Sequence, residues 1–308
     1  MTVQLATKPK AKLIDGVAVA KKIRNECRER VESLIAQCGV PPGLAVIVVG
    51  SNPASLVYVK NKIRACESIG IKSFRFDYPP DVGQDEVIDC IQQLNEDPEV
   101  HGILVQLPLP ASFDMARILR TISVDKDVDG FHLYNVGGLV VGGTVFPPCT
   151  PYGVLKLLEH EGIPLEGKNV VVVGASNIVG KPMALMLMQH EATVSICHAK
   201  TRDLAQFTIL ADILVVAAGY PNLIQPEMVR TGAVVIDVGI NRLPNGKLVG
   251  DVNFSGVAAK ASHITPVPGG VGPMTVSMLL VNTVNSWERW HRQVFVPSWQ
   301  KLSPIALG

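Results

Sequence analysis

A repeated alternation of short apolar runs and helical patterns constrains this chain more than any other feature. Residues 44–49 form a continuous apolar run that stops at Gly50, which is typical of a buried strand. Residues 55–69 then show a helical pattern that stops at Gly70. Such alternation predicts a parallel sheet whose strands are joined by helical crossovers.

The same alternation continues along the chain and divides into two sets. Between the sets, residues 125–151 are rich in glycine and proline, which predicts loops before a domain junction. A length of 308 residues also fits two domains of roughly 150 residues each. The remaining expected strands are residues 72–78, 100–106, 169–173, 193–197, 213–217 and 234–238, and the remaining expected helices are residues 84–94, 111–122, 151–161, 178–190, 257–261 and 275–292.

Composition and charge narrow the class of protein. Hydrophobic residues make up 47% of the chain and charged residues 18%, so a large core is expected. The net charge of +1 gives no reason to expect a nucleic-acid partner. No apolar run reaches membrane-spanning length without glycine, proline or charge, and residues 1–12 lack the apolar core of a signal peptide. We therefore expect a soluble, cytoplasmic protein.

The positions of the cysteines and histidines bear on the compartment of the protein and on metal binding. The six cysteines are scattered and form no C-x-x-C pair, which favours a reduced, intracellular chain. The seven histidines show no metal-ligand spacing, so no metal site is expected.

One turn has the spacing of a dinucleotide-binding motif. The apolar run 170–173 leads into Gly174, Ser176 and Gly180, and a helical pattern follows. The first glycine permits a tight turn, the serine replaces a second glycine and adds a hydroxyl, and the last glycine permits close packing of helix on strand. The helix N-terminus would then face the pyrophosphate of the ligand. An ordinary tight turn is the alternative.

The residues near position 200 bear on the choice between NAD and NADP. Many NAD-binding folds carry an acid at the end of the second strand, where it holds the ribose 2′-hydroxyl. Here Lys200 and Arg202 follow Cys197, and no acid occupies that strand end. Two cations would bind a 2′-phosphate instead, so the sequence favours NADP. Alternatively, both are solvated surface charges.

Tyr58 and Lys62 are the first candidates for chemistry. They lie four residues apart on an expected helix, which puts them on one face. A tyrosine beside a lysine can orient the amine for proton transfer. Taken alone, the spacing fits an exposed lysine and a half-buried tyrosine better.

Three further segments favour a ligand site. Gln106 ends the apolar run 102–105, and open α/β sheets bind ligands at the carboxyl ends of their strands. Asp129 lies in an Asp-Gly turn, where its carboxylate could accept two hydrogen bonds from a nitrogen heterocycle, although turn formation is an alternative use. Residues 266–273 combine proline and glycine, so their backbone could approach a flat ligand closely.

Seven segments, collinear over roughly residues 12 to 290, carry a family resemblance. They are residues 50–55 with 58–62, 105–110, 126–132, 148–151, 174–180, 236–241 and 265–275. Together they resemble the bifunctional methylenetetrahydrofolate dehydrogenase/methenyltetrahydrofolate cyclohydrolase family of one-carbon metabolism. A collinear set of this size is far more specific than any single motif.

The resemblance implies a two-domain α/β fold with a cleft between the domains. Residues 1–148 and 274–308 would form an N-terminal α/β catalytic domain that binds the folate, and residues 149–273 a Rossmann-type dinucleotide-binding domain. In one shared active site, the enzyme would oxidise 5,10-methylenetetrahydrofolate with NADP and hydrolyse the 5,10-methenyl product to 10-formyltetrahydrofolate. The family is typically a homodimer paired through the nucleotide domain.

The resemblance also assigns residues to roles. Lys62 would transfer protons, with Tyr58 and Gln106 positioning it, and Asp129 would bind the pterin ring; these four form the catalytic set. The implied substrate-binding residues are Tyr58, Lys62, Gln106, Leu107, Asp129, Pro268, Gly269 and Gly272. The implied cofactor-binding residues are Gly174, Ala175, Ser176, Ile178, Val179, Ala199, Lys200, Ala218, Gly219, Ile240 and Thr275.

Two positions depart from some members of that family. Those members carry arginine where this chain has Ala175 and serine where it has Ala199, and both groups hold the 2′-phosphate there. We expect Lys200, Arg202 or Lys181 to substitute for them.

Two other classes compete with this interpretation. A shikimate-type or amino-acid-type NAD(P)-dependent dehydrogenase shares the broad layout, but it would need a different arrangement of lysine and aspartate in the first domain. A non-catalytic module that senses a dinucleotide would have no need of Lys62.

Overall fold

The computed structural model describes residues 11–295. These residues form two compact units, which we name after their sheets. The large-sheet unit comprises residues 11–23 and 135–278, and the small-sheet unit comprises residues 24–134 and 279–295. The domain boundaries expected at 148/149 and 273/274 stay a prediction.

The chain alternates helices and strands, as the sequence predicts. The strands are β1 Lys12–Leu13, β2 Gly43–Val49, β3 Lys72–Tyr78, β4 Gly102–Val105, β5 Asn169–Val173, β6 Thr193–Cys197, β7 Ile213–Val216, β8 Val234–Asp237, β9 Asn241–Arg242, β10 Leu248–Val249 and β11 His263–Ile264. The α-helices are α1 Gly16–Cys38, α2 Pro53–Glu67, α3 Gln84–Glu96, α4 Met115–Thr121, α5 Leu133–Val141, α6 Cys149–His160, α7 Gly180–Met188, α8 Leu204–Thr208, α9 Phe254–Ala258 and α10 Val271–Phe295. Single 3-10 turns lie at Val124–Lys126 and Pro226–Met228.

The small-sheet unit is built on a parallel sheet of three strands in the order β3-β2-β4. All seven residues of the central strand β2 are buried. Its side chains at Ala45, Ile47 and Val49 belong to one core cluster with apolar residues of α3 and α4. Burying a valine or isoleucine side chain contributes roughly 1.5–3 kcal/mol, so this apolar run drives the packing of the unit.

The large-sheet unit contains a parallel sheet of six strands in the order β1-β11-β8-β7-β5-β6. The strand β5 lies next to the edge strand β6 and pairs with it on one side and with β7 on the other, so that Val173 lies between Cys197 and Val216. The order reverses at β5, which is the point where open α/β sheets bind their ligands. The parallel α/β fold expected from the sequence is therefore confirmed.

Several elements differ from the sequence expectations. Residues 125–151 were expected to be loops, but they contain α5. Glycine suggested a turn there, whereas the backbone of Gly138 packs so closely on Thr144 that a Cβ would lie 2.6 Å from its Cα. The final helix also begins at Val271 rather than at residue 275, because Pro273 lies in its first turn, where a missing N–H breaks no helical bond.

Other short elements carry too few residues for a periodic signal. The strands β1 and β11 have two residues each, and so do β9 and β10, which form an antiparallel hairpin. The long helix α1 was also not anticipated.

The described residues offer neither a membrane-spanning helix nor a cluster of metal ligands. None of the helices in residues 11–295 combines the length and apolar character needed to cross a bilayer. In the same range, no cluster of three or more His, Cys, Asp or Glu side chains could hold a metal ion.

Candidate active site

The side-chain amino group of Lys62 lies in a buried position on α2. Lys62 is only 6% exposed, and its Nζ donates a hydrogen bond of 3.1 Å to Oε1 of Gln106. Nζ also lies 5.8 Å from the ring centroid of Tyr58, one helical turn away. Within residues 11–295, Lys62 forms no ion pair with a carboxylate. The exposed-lysine alternative is therefore wrong.

Burial has a second effect at this place. It raises the pKa of Tyr58, so the phenol keeps its proton throughout the physiological range. A neutral phenol beside a buried amine provides a polar group without a competing negative charge.

Gln106 is held in one orientation by its surroundings. It follows β4, and its main-chain N–H donates to the carbonyl of Ile47 at 2.9 Å. Its side-chain Nε2 donates to the carbonyl of Leu107 at 2.6 Å. Because the amide nitrogen is used in this way, the amide oxygen must face the amine of Lys62. Tyr58, Lys62, Gln106 and Leu107 are thus brought together.

Asp129 lies in the turn that follows the 3-10 helix, with a half-buried side chain. The neighbouring Asp127 is 1% exposed, and its two carboxylate oxygens accept hydrogen bonds from the main-chain N–H of Phe131 at 3.2 Å and of His132 at 2.8 Å. Asp127 therefore builds this turn, a function that sequence reasoning did not assign to it. Its Asp-x-x-Gly spacing was the available signal.

The turn after β5 brings backbone segments unusually close together. Gly174 has a φ of +121°, and a Cβ on it would lie 2.2 Å from the carbonyl oxygen of Ala217. A Cβ on Gly180 would lie 1.9 Å from the carbonyl oxygen of Gly174. Both positions therefore require glycine, as the spacing of the motif predicts.

Ser176 holds the turn that precedes the next helix. Its Oγ accepts hydrogen bonds from the main-chain N–H of Val179 at 3.1 Å and of Gly180 at 3.3 Å. The hydroxyl therefore stabilises the turn that leads into α7, whose N-cap residue is Val179. Ala175 and Ile178 are half-buried in the same turn.

The cations that were expected to select NADP are exposed. Lys200 and Arg202 follow β6, and neither forms an ion pair in the described part of the chain. The turn itself is ordered, because Thr201 Oγ1 accepts from the N–H of His198 at 3.0 Å. Lys181, in the first turn of α7, donates from Nζ to Asn177 Oδ1 at 2.8 Å. Ala199 is exposed in the same turn.

The remaining expected residues of the large-sheet unit lie in loops and helix starts. The main-chain N–H groups of Ala218 and Gly219 both donate to Asp251, an acid that sequence reasoning missed. Ile240 is 48% exposed. Thr275 Oγ1 lies 3.1 Å from Thr150 Oγ1.

The proline- and glycine-rich loop belongs to the same unit. Pro268 is exposed, Gly269 is half-buried with a φ of +107°, and Gly272 lies in the first turn of α10.

Comparison with known proteins assigns the family. The family model described as "Tetrahydrofolate dehydrogenase/cyclohydrolase, catalytic domain" matches residues 14–129, and the model described as "Tetrahydrofolate dehydrogenase/cyclohydrolase, NAD(P)-binding domain" matches residues 148–291. This chain belongs to the tetrahydrofolate dehydrogenase/cyclohydrolase family. The resemblance seen in the sequence is therefore confirmed.

Relatives in the tetrahydrofolate dehydrogenase/cyclohydrolase family are similar over almost their full length. The bifunctional protein FolD of Nitrosospira multiformis is 60% identical over 284 residues, which cover 92% of this chain and 98% of the relative. The FolD methylenetetrahydrofolate dehydrogenase/cyclohydrolase of Campylobacter jejuni has a structure with a TM-score of 0.88 and 53% identity, covering 91% of this chain and 99% of that chain. The Trypanosoma brucei enzyme, solved with NADP and an inhibitor, has a TM-score of 0.90 and 41% identity, covering 92% of this chain and 99% of that chain.

The shikimate-type alternative is only a distant structural match. Shikimate 5-dehydrogenase of Thermus thermophilus shares 16% identity with a TM-score of 0.50, which shows a common fold alone.

Proposed function

We propose that this chain oxidises 5,10-methylenetetrahydrofolate with NADP and hydrolyses the 5,10-methenyl product to 10-formyltetrahydrofolate. Its family supports both activities, and the Nitrosospira multiformis relative carries the name bifunctional protein FolD. The NADP-bound Trypanosoma brucei structure supports the choice of cofactor. The observation that carries the hydrolytic half is the buried amine of Lys62, 3.1 Å from the Gln106 side-chain oxygen.

Hydrolysis needs a group that moves protons at the reacting carbon. Water adds to the cationic methenyl carbon and loses one proton, which leaves a hydroxyl adduct. The carbon–N5 bond then breaks with its electron pair going to N5, N5 takes up a proton, and the hydroxyl loses its proton to become the formyl oxygen. One proton is released overall. Lys62 Nζ would accept the proton of the water and return one to N5, with Gln106 and Tyr58 holding the amine in place. Proton transfer of this kind accelerates reactions by roughly 10²–10⁴-fold.

The turn after β5 fits a bound dinucleotide. The absence of a Cβ at Gly174 and Gly180 leaves room for close backbone approach, and α7 begins there with its N–H groups. When bound, NADP supplies the hydride acceptor for oxidation of the methylene carbon. The residues proposed to hold it are Gly174, Ala175, Ser176, Ile178, Val179, Ala199, Lys200, Ala218, Gly219, Ile240 and Thr275. Lys200, Arg202 or Lys181 would bind the 2′-phosphate.

The folate would be held by a separate set of residues. The half-buried carboxylate of Asp129 suits two hydrogen bonds from the pterin ring. Leu107, Pro268, Gly269 and Gly272 are proposed to line the same ligand.

A spectroscopic assay tests this function. Wild type should reduce NADP with 5,10-methylenetetrahydrofolate and hydrolyse the methenyl compound. The variant Lys62→Met should lose hydrolysis by at least about 100-fold, in line with the loss of a proton-transfer group. The matched control Lys60→Met changes an exposed lysine of the same helix and should behave as wild type.

Each other outcome has a definite meaning. Reduction of NAD but not of NADP would support the dehydrogenase activity and reject NADP as the cofactor. Turnover with neither would reject the function, and full hydrolytic activity of Lys62→Met would reject the proton-transfer role of Lys62.

We also propose that two copies pair along the exposed edge of the large sheet. The strand β6 ends that sheet, and Ile196 on it is 43% exposed. Nearby in the chain, Phe207 and Leu210 of the α8 region are 43% and 64% exposed. An apolar edge of this kind is a template for another strand. In sedimentation analysis, Ile196→Asp should give a monomer, whereas Val40→Asp, at another exposed valine, should stay dimeric.

The cytoplasm is the proposed location. None of the six cysteines, all of which lie within residues 11–295, forms a disulfide, and five of them are buried, which fits a reducing compartment. A net charge of +1 gives little electrostatic attraction to a nucleic acid, so no nucleic-acid partner is proposed.

A further inference from the structure

Two buried carboxylates lie behind the loops that follow β7 and β8. Asp237 ends β8 and is 4% exposed, and Asp251, which follows β10, is 0% exposed. Neither forms an ion pair with lysine or arginine anywhere in the described range. A buried carboxylate without a cation needs other donors, so the hydrogen bonds of these two acids are informative.

Asp251 uses both of its oxygens. Oδ2 accepts the main-chain N–H of Ala218 at 2.7 Å and that of Gly219 at 2.8 Å. Oδ1 accepts the side-chain Nδ2 of Asn241 at 2.8 Å. One carboxylate therefore joins the loop after β7 to the first residue of β9.

Asp237 holds Asp251 from the other side. Its Oδ1 accepts the main-chain N–H of Asp251 and that of Gly239, each at 3.0 Å, and its Oδ2 accepts that of Val252 at 3.0 Å. Burial raises the pKa of Asp237 to about 6, and the charge of Asp251 adds to this effect while the three backbone donors oppose it. The main chain at 251–252 is thus fixed, and with it the direction of the Asp251 side chain.

The hydrogen bond from Ala218 to Asp251 also affects the dinucleotide turn at Gly174. A trans peptide points its N–H and C=O in opposite directions, so binding the N–H of Ala218 aims the carbonyl of Ala217 away from Asp251. That carbonyl oxygen is the atom that would lie 2.2 Å from a Cβ on Gly174. The carboxylate therefore sets how closely the β7 loop approaches the first glycine of the turn.

The surrounding chain leaves space for the two acids. A Cβ on Gly239 would lie 2.2 Å from Oδ1 of Asp251, and a Cβ on Gly250 would lie 1.9 Å from Oδ2 of Asp237. The carboxylates occupy the volume that two side chains would otherwise fill.

We propose that Asp251 is a positioning residue for the dinucleotide, an inference that rests on the NADP-dependent function proposed above. It binds the N–H groups of Ala218 and Gly219 and so shapes the loop on which NADP lies, while Asp237 holds Asp251 in place. Asp251 acts through this loop and contacts no reacting atom.

Calorimetric titration of the full-length protein with NADP, in the absence of folate, tests this directly. Asp251→Ala leaves the N–H groups of Ala218 and Gly219 without the carboxylate that holds their loop, so the Kd for NADP should rise about tenfold or more. The KM for NADP should rise in parallel, with a smaller change in kcat at saturating NADP. Asp251→Asn keeps one oxygen for the two N–H groups, and its Kd should return to within about threefold of wild type. Hydrolysis of the methenyl compound, which consumes no dinucleotide, reports whether each variant is folded.

The contrary results are equally definite. A folded Asp251→Ala protein that binds NADP like wild type overturns the proposal, and so does an Asp251→Asn protein as weak as Asp251→Ala. If Asp251→Ala does not fold, Asn241→Ala takes its place, because it removes the donor to Oδ1. That variant should raise the Kd about threefold, and an unchanged Kd overturns the proposal. A wild-type protein that binds no NADP rejects the proposed function instead.

Discussion

Lys62 and Gln106 form a one-directional pair, in which the amine donates at 3.1 Å and the amide oxygen can only accept. The direction is set by Leu107, whose carbonyl binds the amide nitrogen at 2.6 Å. Because Gln106 takes only one N–H of the Lys62 amino group, the rest of that group stays available to other partners.

Removing the acceptor of this pair should weaken hydrolysis more than oxidation. Gln106→Met keeps the length of the side chain but leaves Nζ without its oxygen, so hydrolysis of the methenyl compound should fall about tenfold. The decay of methenyl absorbance measures it. Gln92→Met, at an exposed glutamine of α3, is the control and should not change the rate. A rate for Gln106→Met equal to that of the control would count against the positioning role.

The three cations near the dinucleotide turn should carry NADP preference. Changing Lys181, Lys200 and Arg202 together to alanine should raise the KM for NADP by at least about tenfold and leave the KM for NAD nearly unchanged, because each cation can bind the 2′-phosphate. Initial rates with both nucleotides give the two constants. Lys168→Ala, at the opposite end of β5, serves as the control. An unchanged KM for NADP would mean that these residues are ordinary surface charges.

A methyl group at Gly180 should damage the cofactor site. In Gly180→Ala the Cβ would lie 1.9 Å from the carbonyl oxygen of Gly174, so the turn must shift and the Kd for NADP should rise more than about tenfold. Calorimetry with NADP measures the loss. In α5, a methyl group at Gly137 would meet no atom within 4 Å, so Gly137→Ala should bind normally and gain stability of about 0.5–1 kcal/mol. Equal affinities in the two variants would contradict the close approach.

His101 should make the small-sheet unit sensitive to acid. It is 2% exposed, its Nδ1 accepts the main-chain N–H of Gly43 at 3.0 Å, and burial, with the nearby His291 and Lys126, lowers its pKa to about 4. The unfolded chain binds a proton below the ordinary pKa of about 6.5, whereas the folded chain resists it, so stability is lost as pH falls from 6.5 towards 4.

Thermal unfolding between pH 4.5 and 7 tests this dependence. His101→Phe removes the titrating group, so its Tm should be lower at pH 7 but fall less steeply with acid. His160→Gln, at an exposed histidine, should keep the wild-type slope. The same slope in His101→Phe and wild type would show that other groups cause the acid loss.

The sheets were predictable from sequence because parallel strands buried on both faces leave continuous apolar runs, such as the valines 170–173 of β5. The pairing of Lys62 with Gln106 was also foreseeable, because the family resemblance assigns Gln106 a role beside Lys62. The four-residue spacing of Tyr58 and Lys62 alone gives no such information. By contrast, the glycines of α5 look like loop residues until the close approach of Gly138 to Thr144 is known.

The acids behind the cofactor loop escaped notice for a different reason. Asp237 and Asp251 have no partner of opposite charge in the sequence pattern, and their donors are main-chain N–H groups from separate segments. Backbone donors carry no residue signature, so only folding reveals which acids they satisfy.

The pairing of β1 with β11 has a consequence for synthesis. Leu13 pairs with Ile264, so β1 cannot form its strand pair until nearly the whole chain has been synthesised and β11 has left the ribosome. The small sheet, built from residues 43–105, can form much earlier. A nascent chain therefore exposes the edge residues of β1 for most of its translation, and the large sheet closes last.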